Sequence, residues 1–316
     1  MRAYVFPTDR EWATFLRARP EIREVNFWVP SATTFKALTP GQPFLFKSKA
    51  ADGNRLIGGG LFSGFTTLSV SEAWATYAEG NGSPTQSQLL GRINAYRYRT
   101  GAQPDADPQI GCILLREVFW APRNGEIDTP LSLQVSGMVR GRSFDPSHQD
   151  YRYIEQAAVD LIWRSTAMAW EPEGELAQFV AGPTRGASRT VIPRVGQLAF
   201  KGLLLTAYKR TCAITGSHIT PTLDAAHIRP VEHDGEHRLD NGLLLRTDVH
   251  RLFDAGLLGV DGHHRLQVSP HIRKLWGNGK EFYERQGEVI GLPDRRVDRP
   301  HKDFLDWHMS EVFKSA

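Results

Sequence analysis

His227, Asn241 and His250 stand 14 and 9 positions apart in a stretch that reads CAITGSHITPTLDAAHIRP and, after a charged loop, LDNGLLLRTDVHRLFDAGLLGV. A neutral histidine can take a proton from water near pH 7. His227 sits in AAHIRP, an extended segment closed by Pro230, which cannot continue a ladder. His250 and Asp254 are four residues apart, so on a helix they project from one face and can hold a divalent ion between them. Hydrolysis of a phosphodiester needs an activated water, charge relief on the pentavalent phosphate and a stabilised leaving oxygen. A histidine base beside one cation supplies all three.

These side chains need two short strands and a helix to hold them. Thr220–Arg229 reads as the first strand. Gly242–Arg246 is a short apolar run entered through Asn241-Gly242, which has turn chemistry. Thr247 is a suitable N-cap for the helix that follows. On that helix Val249, Leu252 and Phe253 recur at i, i+3, i+4 and should face the core.

At these residues the chain resembles the HNH endonucleases, the ββα-metal group, in the subgroup that reads CAITG, AAHI.P and NGLLLR.D.HRLFD.G. The resemblance runs from about Arg194 onward. It implies His227 as general base, His250 as metal ligand and Asn241 as the residue that braces the loop or reaches the metal. Asp254 holds by its offset the place of a further ligand in many relatives, although it could instead cap the helix or pair with Arg251. Many relatives carry Asp or His just before the base, and here that position is Ala226. Asp224, one pleat away on the same strand face, could substitute or could be a plain surface acid. The implied cofactor is one divalent ion, Mg2+ or Mn2+ first, with Ni2+, Co2+ or Zn2+ as alternatives. Arg194, Lys201, Lys209, Arg210, Arg229 and Arg246 flank the site and could contact DNA phosphates, or could be solvated charges only.

The chain has 316 residues, 41% hydrophobic and 23% charged, as expected of a soluble globular protein of two domains. No apolar run approaches the ~18–20 residues of a membrane span, and MRAYVFPTDREW has no signal-peptide core. Cys112 and Cys212 form no CxxC, so neither a disulfide framework nor a cysteine zinc site is indicated, and a reducing, cytoplasmic setting is the simplest fit. The net charge of +3 says little, but from Ala181 on 20 Lys/Arg face 16 Asp/Glu, and ten of the eleven histidines lie there. That half is the better suited to handling phosphates.

Upstream, short strands alternate with edge helices. Gly58-Gly59-Gly60 inside a strand pattern suggests a bulge or a close backbone approach, and no Lys-Ser/Thr follows to make it a phosphate loop. A strand is expected over Leu131–Arg140 and a helix over Gln149–Trp170. The run NFWVPS, PFLFK, LIGGGLF is similar to the PUA-like small barrels, the SRA, EVE and ASCH domains. That likeness makes Phe27 and Trp28 candidate rings for stacking an extruded base, against the alternative of core aromatics. Residues rich in Gly, Pro, Ser and Thr over 176–193 fit a linker.

The expected fold is therefore α+β in two domains: a PUA-like small β-barrel with flanking helices over residues 1–175, and a ββα-metal HNH nuclease over 194–316. The expected function is a metal-dependent DNA endonuclease resembling modification-dependent restriction enzymes, with double-stranded DNA as partner and modified cytosine as the candidate feature that it reads. One site per chain suggests a homodimer for double-strand cleavage. The rivals are a restriction nuclease that reads unmodified sequence, and a non-catalytic module whose degenerate nuclease fold only docks nucleic acid. Ala226 favours the last.

Overall fold

Alternation of buried and half-exposed residues sets the first strand, β1 (Ala3–Pro7), in which Ala3 and Val5 face the core. Helix α1 (Arg10–Arg17) starts where Asp9 Oδ1 accepts hydrogen bonds from the amides of Glu11 and Trp12 at 3.1 and 3.2 Å, and it buries Trp12, Ala13 and Leu16. There follow β2 (Val25–Val29), β3 (Pro43–Lys47), β4 (Arg55–Ser69), α2 (Val70–Tyr77) and α3 (Gln86–Arg99), the last capped by Thr85. Then come β5 (Gln109–Trp120), β6 (Ile127–Asp128), β7 (Arg142–Phe144) and α4 (Tyr151–Ala169). This computed structural model describes residues 2–32, 34–122, 124–134, 140–169 and 196–315.

The chain divides into two compact units. One comprises Met1–Gly64, Tyr77–Pro104 and Ile113–Val195; the other comprises Phe65–Thr76, Asp105–Cys112 and Gly196–Ala316. The expected linker over 176–193 lies outside the described residues.

The large sheet is mixed and runs β2-β5-β4-β3-β1-β7, with β6 paired to β4. β1 and β3 are parallel, whereas β1–β7 and β3–β4 are antiparallel. β2 and β7 end this path, and no closed barrel is found among the described residues. A three-residue terminal strand, already paired to β1, leaves few groups with which to close a ring. The triple glycine does mark a close approach: a Cβ on Gly59 would stand 2.7 Å from Phe119 Cζ and 2.8 Å from the Phe44 carbonyl. The register also slips opposite it, between Phe46 and Lys47. Where a strand was expected over Leu131–Arg140, Leu131–Leu133 form a 3-10 turn behind Pro130, and residues 135–139 lie outside the described part.

The second unit is built on α5 (Gln197–Ala207), β8 (Leu223–His227), β9 (Gly242–Arg246) and α6 (Thr247–Asp254). Beyond these lie the hairpin β10 (Leu258–Val260) and β11 (Leu266–Val268), then α7 (His271–Trp276), α8 (Lys280–Tyr283) and α9 (Lys302–Glu311). Leu243, Leu244 and Leu245 are all fully buried, so β9 is covered on both faces and carries no alternation. Val249 and Phe253 of α6 point into the same core, as their spacing predicts. The ring of His308 on α9 stacks on Phe253 at 3.8 Å between centroids and 11° between planes, and its Nε2 lies 3.1 Å from the Phe253 carbonyl.

Burial pushes the His308 imidazole down to about 4 from its ordinary 6.5. The fold thus holds the neutral ring, and its contribution is complete above pH 6.5, where both states are neutral. It is lost as pH falls toward 4, because the unfolded chain takes up the proton first. A shift of this size corresponds to roughly 3 kcal/mol. His308→Phe should therefore flatten the fall in stability between pH 6.5 and 4, as measured by urea unfolding at a series of pH values.

Candidate active site

β8 and β9 pair antiparallel in the register Leu223↔Arg246, Asp224↔Leu245, Ala226↔Leu243 and His227↔Gly242. Gly242 carries no side chain, and a Cβ there would stand 2.6 Å from Phe200 Cζ. α5 can therefore press close, and Phe200 stacks on the His227 ring at 4.2 Å and 17°. His227 Nε2 and His237 Nδ1 share a hydrogen bond of 3.0 Å. The sequence had offered no reason to single out His237, because its contact arises from the return of a loop and has no fixed spacing.

Asp224 and His250 face each other across β8 and α6. Asp224 Oδ2 accepts from the Thr247 hydroxyl at 2.8 Å, Oδ1 lies 3.4 Å from Lys201 Nζ, and His250 Nδ1 is 4.0 Å from Oδ2. The His250 ring, then the Thr247 hydroxyl and the Lys201 ammonium, hold the Asp224 carboxyl well below the usual carboxylate range against the effect of burial. Asp224 is thus an ordered, ionised group of the site. Thr247, expected as an N-cap, is instead the first residue of α6 and makes no cap bond. Its hydroxyl is used on Asp224 and the Thr222 carbonyl.

On the other side of the ring, His250 Nε2 lies 3.3 Å from Asp254 Oδ2. The Asp254 side chain is 61% exposed against 34% for Asp224. Asn241 is fully buried: its Oδ1 accepts from the Arg229 amide at 2.9 Å, and its Nδ2 donates to the carbonyls of Arg229 at 2.9 Å and Glu236 at 3.0 Å. Its amide therefore ties down the loop between the strands.

Among the described residues no three His, Cys, Asp or Glu side chains converge as a ready metal group. His250 turns one nitrogen to each acid, so Asp224, His250 and Asp254 cannot address one ion together in this arrangement. Two donors bound to one divalent ion at about 2.0–2.2 Å stand about 3 Å apart, which the His250–Asp254 pair meets at 3.3 Å and the His250–Asp224 pair, at 4.0 Å, would meet after a small side-chain adjustment. In this arrangement each acid shares a different nitrogen of His250. Asp224 is the better held of the two acids. A cation with waters and phosphate oxygens in its remaining positions fits such a pair. Ala226 is fully buried against Leu243 and leaves no ligand at its position.

Most of the expected phosphate contacts already have partners. Lys201 faces Asp224, and Lys209 Nζ lies 2.8 Å from Asp294. Arg210 is clasped by Glu72, with Nη2 to Oε2 at 2.6 Å, and also reaches the Thr67 carbonyl. Arg246 grips Asp248 with two bonds of 2.6 and 2.7 Å. Arg229 bonds the His233 carbonyl and lies over the Trp307 ring at 5.6 Å. Arg194 lies outside the described residues. Arg246 and Arg251, with Thr222 and Thr247, line a shallow cleft of ≈ 650 Å³ beside Asp224.

In the first unit, Phe27 and Trp28 are 7% and 9% exposed. Phe27 packs among Phe6, Trp12 and Phe44, and Trp28 Nε1 donates to the Asn81 carbonyl at 3.0 Å. Both are core rings in this structure, because β2 lies inside a layer of aromatic contacts. A separate cavity of ≈ 1090 Å³ is lined by Ile57, Phe119 and Trp120 together with Arg17, Arg23 and Glu126. These residues share no pattern along the chain, because they come from positions 17 to 126.

Residues 212–261 match the model of a family described as HNH endonuclease. Comparison with curated proteins gives no match. Among solved structures, the chain is similar to the ZmASCH mutant protein from Zymomonas mobilis, at 10% identity and a TM-score of 0.33 over 49% of this chain and 96% of that one. It is also similar to a structure titled modification-dependent TagI restriction endonuclease, at 13% identity and a TM-score of 0.28 over 99% of this chain and 82% of that one. Both superpositions are loose.

Asn241→Ala should leave the Arg229 and Glu236 backbone groups without their side-chain partner and destabilise the second unit by about 1–3 kcal/mol. Amide exchange should rise first in residues 229–236.

Proposed function

We propose that this chain is a metal-dependent DNA endonuclease that hydrolyses phosphodiesters to 5′-phosphate and 3′-hydroxyl ends. One observation carries the reading: the segment matched as HNH endonuclease holds Asp224, His227, Asn241 and His250 in one strand–strand–helix unit, with Asp224 kept ionised beside His250. HNH nucleases generally use a divalent ion, which lowers the charge on the phosphate and on the departing oxygen. Here His250 and Asp224 would hold it. Thr247 and Lys201 orient the Asp224 carboxylate, and Asn241 fixes the loop that follows His227. His227 takes the proton from water as the water oxygen bonds to phosphorus and the P–O3′ bond breaks, and the departing O3′ takes up a proton from solvent water to become the 3′-hydroxyl. Phe200 holds the plane of the base.

We further propose that the first unit makes cleavage depend on modified cytosine, in the manner of a restriction enzyme acting on foreign DNA. Its cavity is of a size that admits a small planar ligand, and Trp120 offers a ring for stacking. The buried Phe27 and Trp28 would then serve the fold. A homodimer would place two such sites on the two strands. The alternative is a docking module without catalysis, and the buried Ala226 together with the two-residue shell speaks for it.

Incubation with methylated, hydroxymethylated and plain plasmid, each with Mg2+, Mn2+ or EDTA, separates these readings. Metal-dependent cutting of modified plasmid, lost in His227→Ala with DNA binding retained, is the expected result. Cutting by His227→Ala within tenfold of wild type would remove His227 as base. Equal cutting of plain plasmid would move the specificity to unmodified sequence.

His250→Ala should weaken Mn2+ binding in calorimetry, as should Asp224→Asn, whereas Asp254→Ala should change it little. Trp120→Ala should reduce the preference for modified DNA by ~1–3 kcal/mol if the ring stacks on a base. Trp28→Ala should instead lower the unfolding temperature.

A further inference from the structure

We propose that His237 is a positioning residue for His227, accepting a hydrogen bond from His227 Nε2–H at its own Nδ1. The acting lone pair of the base is thereby placed on Nδ1. This rests on the reading of His227 as general base.

Stacking on Phe200 fixes the plane of the His227 ring but not which edge faces which way. A half-turn about Cβ–Cγ keeps the stack and exchanges Nε2 for Cε1, which makes no such bond. Only one of the two orientations presents Nε2 to His237 at 3.0 Å. The same contact couples the two tautomers, since one of the two facing nitrogens must carry the proton and the other must accept it, and the proposal places that proton on His227 Nε2. With the proton on His227 Nε2, its Nδ1 has the lone pair that removes a proton from water. Once Nδ1 is protonated, the ring is an imidazolium, and the bond from Nε2–H to His237 becomes charge-assisted and stronger. The contact thus stabilises the state after proton transfer more than the state before it, which is the requirement for raising a rate.

His237 is itself held in place. Gly196, at the start of α5, has φ +97°, and a Cβ there would come within 2.9 Å of His237 Cδ2, so the ring lies directly on that glycine. Phe200 lies at 5.8 Å and 58° from it. One phenylalanine thereby touches both rings, and the ring planes of His227 and His237 meet at 64° with centroids 4.9 Å apart. The loop that carries His237 is tied by Asn241 to the carbonyl of Glu236, the residue before it.

The test uses the full chain labelled with 15N-histidine, with His227→Ala and His237→Leu spectra assigning the two rings. Long-range 15N–1H correlation should show His227 and His237 both protonated on Nε2 and unprotonated on Nδ1. His237→Leu should turn His227 into a mixture of tautomers. His237→Asn, whose Oδ1 can stand in for Nδ1, should keep the single form. In single-turnover cleavage of modified plasmid with Mn2+, His237→Leu should be slower by about 10- to 100-fold with DNA affinity unchanged, and His237→Asn should recover most of the rate. A wild-type His227 protonated on Nδ1, or an unchanged tautomer in His237→Leu, overturns the proposal, and neither result depends on cleavage. Full activity in His227→Ala would instead overturn the base assignment and leave the tautomer result to stand or fall alone.

Discussion

A methyl group on Gly242 would stand 2.6 Å from the tip of Phe200 and 2.9 Å from Leu204 Cδ1, so the approach of α5 to the β8–β9 ladder is set by one missing side chain. The packing around His227 follows from that distance. Phe200 reaches His227 only because α5 lies that close, and His227 stands directly opposite Gly242 in the register. Tyr208, buried at the end of the same helix, reinforces the approach by donating its hydroxyl to the Gly242 carbonyl at 3.1 Å. The glycine is in extended backbone, so the demand on it is one of space and not of conformation.

The acid side of the site follows a different physical rule. Asp224 is surrounded by a hydroxyl, an ammonium and an imidazole, each of which favours its charged form. A carboxylate so satisfied is rigid and anionic before any ligand arrives, and such preorganisation strengthens electrostatic binding. The same arrangement withdraws Lys201 from the surface. Cations around Asp224 therefore divide between those that shape the protein's own anions and those left facing solvent. Arg251, exposed on the shallow cleft beside Asp224, is of the solvent-facing kind.

Much of the second unit was legible in the sequence because its parts obey local rules. The strand AAHIRP, the apolar run from Gly242 and the helix spacing of Val249 and Phe253 each depend on neighbours within a few residues. What escaped notice depends on chain return. His237 meets His227 across a loop, Thr247 turns its hydroxyl to a strand 23 residues away, and Arg210 meets Glu72 from 138 residues away. Phe27 and Trp28 were ambiguous for a related reason: an aromatic pair looks alike in sequence whether it lines a pocket or fills a core. Only the rings packed around them decide, and those come from β1, α1, β3 and α3. The sheet likewise showed its strands in sequence but not its ends, because closure depends on the length of the last strand.

The stacking of His308 on Phe253 gives the second unit a timetable. The helix that carries His250 has its inner face covered by a ring placed 55 positions later, and the Lys314 amide donates to the Gly256 carbonyl just past that helix. A ribosome making this chain releases the strands and the histidines well before it releases the residues that pack beneath them. During that interval Phe253 lacks its cover and the histidine–carboxylate pair lacks a settled floor. Synthesis order thus delays the final packing of α6 until α9 has been made.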